Sequence, residues 1–395
     1  MSDPIYDKAI DLLRQLVAFD TTSRNPNRPC IDFIRDYLQS CGVESEILPG
    51  DEEGKACLFA TIGHGTKGGV MLAGHSDVVP VDGQNWLTDP FTLTEKDDKF
   101  YARGACDMKG FIACILALVP RFVAAADRLP QPIHLAFTYD EEVTMEGAAR
   151  LSAVLAERGI APAWSWVGEP TGLEIVDSHK GVAGYKTYIT GVEAHSGKPD
   201  LGLNAIELGH DFMTILRDVA QKKRDNPYVP SRFDPPYTTL NLAQIVAGQP
   251  AENIIAPGFE LLWQTRAHPG DNSDQIVADI DARALACMAD RFKAFAPQAG
   301  LRTCTCFNIP PLMPTADNPG RDRIAAVTGR PETIAVSFGT EAGFYQKLGG
   351  AVVICGPGDI DVAHKANEFV DKSQLNSCID LLTKVLLSSG TAVPA

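Results

Sequence analysis

The chain has 395 residues, of which 45% are hydrophobic and 22% charged, a composition typical of folded globular proteins and too much chain for one ordinary core. Fifty acidic against 35 basic side chains give a formal charge of −15, which argues against nucleic acid or an anionic membrane as partner and leaves acids available to hold cations. The ten cysteines include no C-x-x-C pair, so reduced thiols of a cytoplasmic protein are expected rather than disulfides or a structural zinc finger.

In chain order, Ile5, Ala9, Leu12, Leu13 and Leu16 recur at helical spacing near the start, with no signal peptide ahead of them. Apolar runs at 58–62, 70–73, 133–137 and 164–167 read as buried strands, alternating with helical stretches near 5–17, 31–40, 109–125 and 146–158. The run from Phe111 to Val119 is expected to be too short to span a bilayer. The alternation predicts an α/β sheet with helices on both faces, and in such sheets chemistry gathers at the carboxyl ends of strands.

From residue 183 the pattern changes. The segment G-Y-K-T-Y-I-T-G-V reads as a strand and 205–219 as a helix. The segments T-T-L-N-L-A-Q-I-V and F-E-L-L-W-Q-T-R read as two further strands, then a helix near 274–292 and a strand at 301–307. This β-α-β-β-α-β order belongs to split βαβ units. A Pro-rich linker follows, P-P-L-M-P-T-A-D-N-P-G, after which T-I-A-V-S-F-G-T and A-V-V-I-C-G-P-G return to the first pattern. The expected organisation is one domain built from 1–182 and 309–395, with a second domain, 183–308, inserted in it.

Five segments carry residues suited to chemistry: His75 and Asp77 in L-A-G-H-S-D, Asp107 in G-A-C-D-M-K, Asp140, Glu141 and Glu142 in T-Y-D-E-E-V, Glu169 in V-G-E-P-T, and His364 in V-A-H-K. Each also has a structural reading by itself: a strand-end histidine held by hydrogen bonds, an aspartate capping a helix, acids opening the helix after 146. Together they fall just past strand ends of one predicted sheet. Two histidines and three carboxylates form a mixed N/O set suited to Zn²⁺ or a similar divalent ion.

The segments G-H-S-D-V-V-P-V-D-G-Q-N-W, Y-A-R-G-A-C-D-M-K-G, D-E-E-V, G-E-P-T and V-A-H-K resemble, in order and spacing over nearly the whole chain, the dinuclear zinc aminoacylase/carboxypeptidase family. The resemblance implies a zinc-peptidase-like catalytic domain, a central mixed sheet flanked by helices, with an inserted ferredoxin-like dimerisation or lid domain. It makes His75 and Glu169 ligands of one Zn²⁺, Glu142 and His364 ligands of the other, and Asp107 the bridge, with Co²⁺ able to substitute. Asp77 would orient His75. Glu141 would be the general base for a zinc-bridging hydroxide and later the acid for the leaving amine. His195 in E-A-H-S-G-K would reach the oxyanion of a partner subunit in a homodimer.

Looser matches point to Arg266, Asn253, Gly339, Thr340 and Glu341 as substrate-binding residues. The segment S-F-G-T-E-A-G-F resembles the branch that deacetylates N²-acetyl-L-ornithine, with Glu341 either facing the substrate amine or serving a helix start. A broader N-acyl-amino-acid deacylase, a desuccinylase and a dipeptidase of the same family are the alternatives. The chain departs from the family pattern at Tyr139, where His or Ala is frequent, and at Ala366-Asn367, where Pro-Asp is common. A dinucleotide oxidoreductase has no G-x-G-x-x-G between a predicted strand and a helix to support it.

Overall fold

The computed structural model describes residues 3–249 and 251–387. Two compact units share the chain: Ser178 ends the first stretch of unit 1, which resumes at Leu312–Ile334 and again from Thr340, while unit 2 comprises His179–Pro311 and Ala335–Gly339.

Unit 1 opens with helices α1 (Pro4–Val17) and α2 (Arg28–Ser40) and strands β1 (Ser45–Pro49), β2 (Ala56–Ile62) and β3 (Val70–His75). The short strands β4 (Thr94–Lys96) and β5 (Lys99–Tyr101) precede α3 (Lys109–Ala125), β6 (Ile133–Thr138), α4 (Glu146–Glu157), β7 (Trp164–Val167) and β8 (Ile175–His179). Unit 2 supplies β9 (Gly181–Thr190), α5 (Ala205–Asp225), β10 (Thr239–Ala247), β11 (Gly258–Ala267), α6 (Ser273–Ala294) and β12 (Gly300–Ile309). The chain closes with α7 (Pro319–Thr328), β13 (Thr333–Val336), α8 (Ala342–Gln346), β14 (Ala351–Ile354), β15 (Phe369–Asp371) and α9 (Lys372–Leu387).

Local signals explain the helix starts. Asp3 accepts a hydrogen bond from the Ile5 N–H ahead of Pro4, and Asn204 and Asn272 cap α5 and α6 in the same way. Helix α1 buries the stripe Ala9, Leu12, Leu13, Leu16 and Val17 against the main core.

The large sheet has the order β1-β2-β6-β3-β7-β14-β8-β13. At its centre β3 runs parallel to both β6 and β7, and β7 is parallel to β14. The register sets His75 beside Thr138 and Ala73 beside Val167, so three strands deliver their carboxyl ends to one edge. This position follows from burial on both faces: β3, β6 and β7 are wholly buried and read as continuous apolar runs.

Two expectations need correction. Helix α3 and the 3-10 turn after it run from Lys109 to Arg128, 20 residues, long and apolar enough by length and composition to cross a membrane. The Phe111–Val119 run understated it because the helix continues beyond Pro120. In the fold, Lys109–Val119 and Phe122 are buried, so the protein's own core surrounds α3. Asp107, in turn, does not follow a strand of the large sheet. The nearest preceding strand, β5, pairs with β4 and β15 in a separate three-stranded sheet, and Asp107 reaches the sheet edge from the start of α3.

Unit 2 folds as β-α-β-β-α-β with strand order β10-β11-β9-β12, each neighbouring pair antiparallel. One face is packed: Phe259, Leu261 and Trp263 alternate inward along β11 and meet Tyr185, Phe212, Ile280 and Met288. The unit begins earlier than residue 183 and also takes in Ala335–Gly339. Within it Lys180 N–H donates to the Val336 carbonyl and Ser337 Oγ to the Asp234 carbonyl.

Gly168, directly before Glu169, has no room for a side chain: a Cβ there would sit 1.9 Å from Phe111 Cδ1. Gly168→Ala should cost about 1–3 kcal/mol or more by overpacking, with Phe111→Leu in the same chain restoring part of it. Thermal unfolding of the single and double variants checks this; full stability in Gly168→Ala would refute it.

Candidate active site

His75, the last residue of β3, is fully buried, with Nε2 3.0 Å from Asp107 Oδ1. On the other side of the same carboxylate, His364 Nε2 lies 3.2 Å from Asp107 Oδ2 and 3.0 Å from Glu142 Oε2. Glu169 follows β7 and is buried. One ligand atom from each of His75, Asp107 and Glu169 lies within 4.8 Å of the others, and the same holds for Asp107, Glu142 and His364. The result is two three-residue clusters sharing Asp107. Glu141 is buried beside them and belongs to neither.

The acids of T-Y-D-E-E-V do not open a helix. Strand β6 ends at Thr138, Asp140 has a left-handed backbone (φ 57°), and α4 begins only at Glu146. The Asp140 carbonyl accepts the N–H groups of Thr144 and Met145, closing a tight turn. Asp77, two residues past β3, organises this turn: its Oδ1 accepts the Glu141 N–H (3.1 Å), and its Oδ2 accepts Ser23 Oγ (2.7 Å) and the Glu142 N–H (3.4 Å). The His75 ring meets Asp77 chiefly through the main chain, Nδ1 lying 3.0 Å from the Asp77 carbonyl and 3.6 Å from its carboxylate. A carbonyl partner fixes an imidazole tautomer as well as a carboxylate does.

Burial pushes the Glu141 and Glu169 carboxyls well above their ordinary range, aided respectively by Glu169 and Asp107. Glu142 is pushed up to about 7 by burial and by Asp107. Asp107 is buried too, yet its hydrogen bonds to His364 and His75 hold it below the usual carboxylate range. His364 is raised to about 10 by Asp107 and Glu142. Glu169 Oε1 is buried without a hydrogen-bond partner among the described residues. An orphaned acceptor, crowded acids and two imidazoles fit a pair of divalent cations, which would satisfy the oxygen and neutralise the acids.

Residues 71–388 match the family described as Peptidase family M20/M25/M40. The chain belongs to this family. Its relatives include an acetylornithine deacetylase from Proteus mirabilis, 35% identical with 95% of each chain covered, and another from Myxococcus xanthus, 36% identical with the same coverage. Among solved structures, an M20 family metallo-carboxypeptidase from Sulfolobus solfataricus superposes with a TM-score of 0.72 at 16% identity, covering 96% of this chain and 98% of the other. Human carnosine dipeptidase 1 gives 0.69 at 19% identity, covering 97% and 96%. This M20 chain is therefore a hydrolase of amide bonds.

The remaining expected site residues of the M20 chain lie in two places. In unit 2, His195 and Asn253 are exposed neighbours, the Ser196 N–H donating to the Asn253 carbonyl and His195 bridging to Ile254; Arg266 is half-buried on β11. Gly339 ends the short return of unit 2, and Thr340 Oγ1 accepts the Ala342 N–H at the start of α8. Glu341 is wholly buried in unit 1, its carboxylate accepting hydrogen bonds from Thr138 Oγ1 and Tyr345 Oη (3.0 Å), with burial pushing it up to about 7.

Sequence reasoning missed the supports. Lys55 donates to the Ser23 carbonyl and pairs with Asp140 at 2.5 Å, both side chains buried. Glu368 accepts the N–H groups of Cys106 (2.8 Å) and Asp107 (3.1 Å) and pairs with buried Arg103 at 2.5 Å. The one signal was a lysine opening an otherwise apolar strand, K-A-C-L-F-A-T-I.

Because His364 must lose a proton to bind a cation and its neighbours raise it to about 10, Zn²⁺ affinity should climb with pH between about 6 and 9, with proton release on binding. Calorimetry in two buffers of different ionisation enthalpy counts those protons; a count of zero contradicts the assignment.

Proposed function

We propose that the chain hydrolyses N²-acetyl-L-ornithine to L-ornithine and acetate, a step of arginine biosynthesis, with two Zn²⁺ that Co²⁺ can replace. The observation that carries the hydrolytic reading is the pair of three-residue clusters sharing Asp107, with buried Glu141 outside both. The choice of acyl substrate rests on relatives named acetylornithine deacetylase at 34–36% identity over most of the chain.

His75, Asp107 and Glu169 would hold one ion, and Asp107, Glu142 and His364 the other. When bound, such a pair supplies Lewis-acid polarisation of the amide carbonyl and lowers the pKa of a water. Glu141 accepts the proton that the attacking water gives up and returns it to the amine nitrogen as the C–N bond breaks. Its buried setting favours holding that proton between the two steps. Asp77 keeps Glu141 and Glu142 in place through their N–H groups. His195 donates to the developing oxyanion of the other subunit of a homodimer. Exposed Leu242, Ile245 and Val246 on edge strand β10 favour unit 2 as the dimer surface. Arg266 and Asn253 are the carboxylate anchors, a guanidinium being suited to bidentate pairing. Gly339 and Thr340, just ahead of α8 in the chain, are further substrate-binding residues of this reading. Glu341, its oxygens taken by Thr138 and Tyr345, acts on substrate charge at a distance. The reduced thiols suit a cytoplasmic setting.

Acetate release from acetylornithine, set against acetylmethionine, succinyl-diaminopimelate and a dipeptide, tests the substrate; faster cleavage of any of these would displace acetylornithine. Glu141→Ala should lower turnover by about 10²- to 10⁴-fold or more while two metals stay bound, whereas Glu142→Ala should also lose metal. Equal metal contents in the two variants, measured by plasma emission, would remove the division of labour.

A further inference from the structure

The two clusters are supported differently. His75 ends a buried strand, whereas His364 lies on an irregular loop with its side chain 52% exposed. His364 and Asn367 both have left-handed backbone, φ 63° and 61°, a conformation residues with a Cβ adopt only at a cost. Contacts from outside that loop offset the cost.

The contacts come from Q-N-W-L, 84–87, some 280 residues away in sequence. Gln84 Nε2 donates to the His364 carbonyl at 2.8 Å. Asn367 Oδ1 accepts the Leu87 N–H at 2.8 Å, and its Nδ2 donates to the Asn85 carbonyl at 3.4 Å. Gln84 is itself held: its Oε1 accepts from Arg103 Nη2 (2.7 Å) and Trp86 Nε1 (3.1 Å). Arg103 continues to Glu368, which accepts the Asp107 N–H. The carboxamide at 84 donates to a carbonyl while accepting from a guanidinium, and the one at 367 accepts an N–H while donating to a carbonyl.

We propose that Gln84 and Asn367 are positioning residues for the second metal: they clasp the His364 loop so that Nε2 reaches Asp107 and Glu142, and they set the affinity of that position alone. The proposal rests on the reading of His364 as a metal ligand. The His75–Asp107–Glu169 position draws its geometry from β3, β7 and the start of α3; besides His364, which meets the shared Asp107, the clasp is linked to it among the described residues through Arg103 and Glu368. The clasp includes Asn367, where this chain departs from the Pro-Asp of the family pattern, and so ties that departure to metal retention.

The test is Co²⁺ titration of the full-length chain after chelator treatment, followed by visible absorption and calorimetry, on the wild type, Gln84→Glu, Asn367→Ala and His364→Ala. Gln84→Glu keeps the acceptor for Arg103 and Trp86 but removes the donor to His364. In both Gln84→Glu and Asn367→Ala the first binding event should stay at wild-type affinity and the second should weaken about 10- to 100-fold, as removal of a partner behind a ligand typically does. The unchanged first event shows that each variant is folded. Equal weakening of both events, or of neither, overturns the clasp. His364→Ala should abolish the second event; two intact events there would overturn the ligand reading itself, a failure distinct from that of the clasp.

Discussion

Everything in the candidate site turns on one carboxylate held between two imidazoles. Asp107 offers one oxygen to His75 and the other to His364, and both clusters include it. A group in that position must be fully ionised, correctly aimed and shielded from water, and each demand is met by a different part of the fold. Ionisation comes from the histidines, which outweigh the effect of burial on its acidity. Aim comes from Glu368, which grips the main-chain N–H of Asp107 and of the residue before it. Shielding comes from the core around α3 and the buried strand ends.

Concentrating acids in this way is costly in a low-dielectric setting, since burial favours the neutral form of each. The chain lowers the cost locally. Around the D-E-E turn, Asp140 is turned away into a pair with Lys55, and Asp77 spends its oxygens on N–H and O–H donors. Glu141, Glu142 and Glu169 keep raised pKa values, and they are the groups that metal or proton transfer would use. Perturbed acidity and unmet hydrogen-bonding capacity thus coincide at one place, as expected of a working site rather than a structural one.

Parallel strand order makes the convergence possible. Placing β3 between β6 and β7 brings residue 75 level with 138 and residue 73 level with 167, although these lie far apart in the chain. From there the separate turns need to travel only a few residues to meet. Glycines at 74 and 168 let α3 press onto these ends: a Cβ at Gly74 would lie 2.8 Å from Met108 Cε, and one at Gly168 would overlap Phe111.

Much of this was legible in the residues before any coordinates. Period and composition placed strands at 70–73, 133–137 and 164–167 and the β-α-β-β-α-β run of unit 2, because those signals are local and depend on which face of each segment is buried. The motif order placed His75, Asp107, Glu142, Glu169 and His364 in one set because their residue types suit divalent cations. What only the tertiary structure decided was pairing across distance. The union of Lys55 with Asp140, of Arg103 with Glu368 and of Gln84 with the His364 loop spans 85, 265 and 280 residues, and no spacing rule reaches that far. Nor does sequence show whether Asp77 meets His75 through its carboxylate or its carbonyl, since both lie on the same residue and only the turn at the end of β3 selects between them.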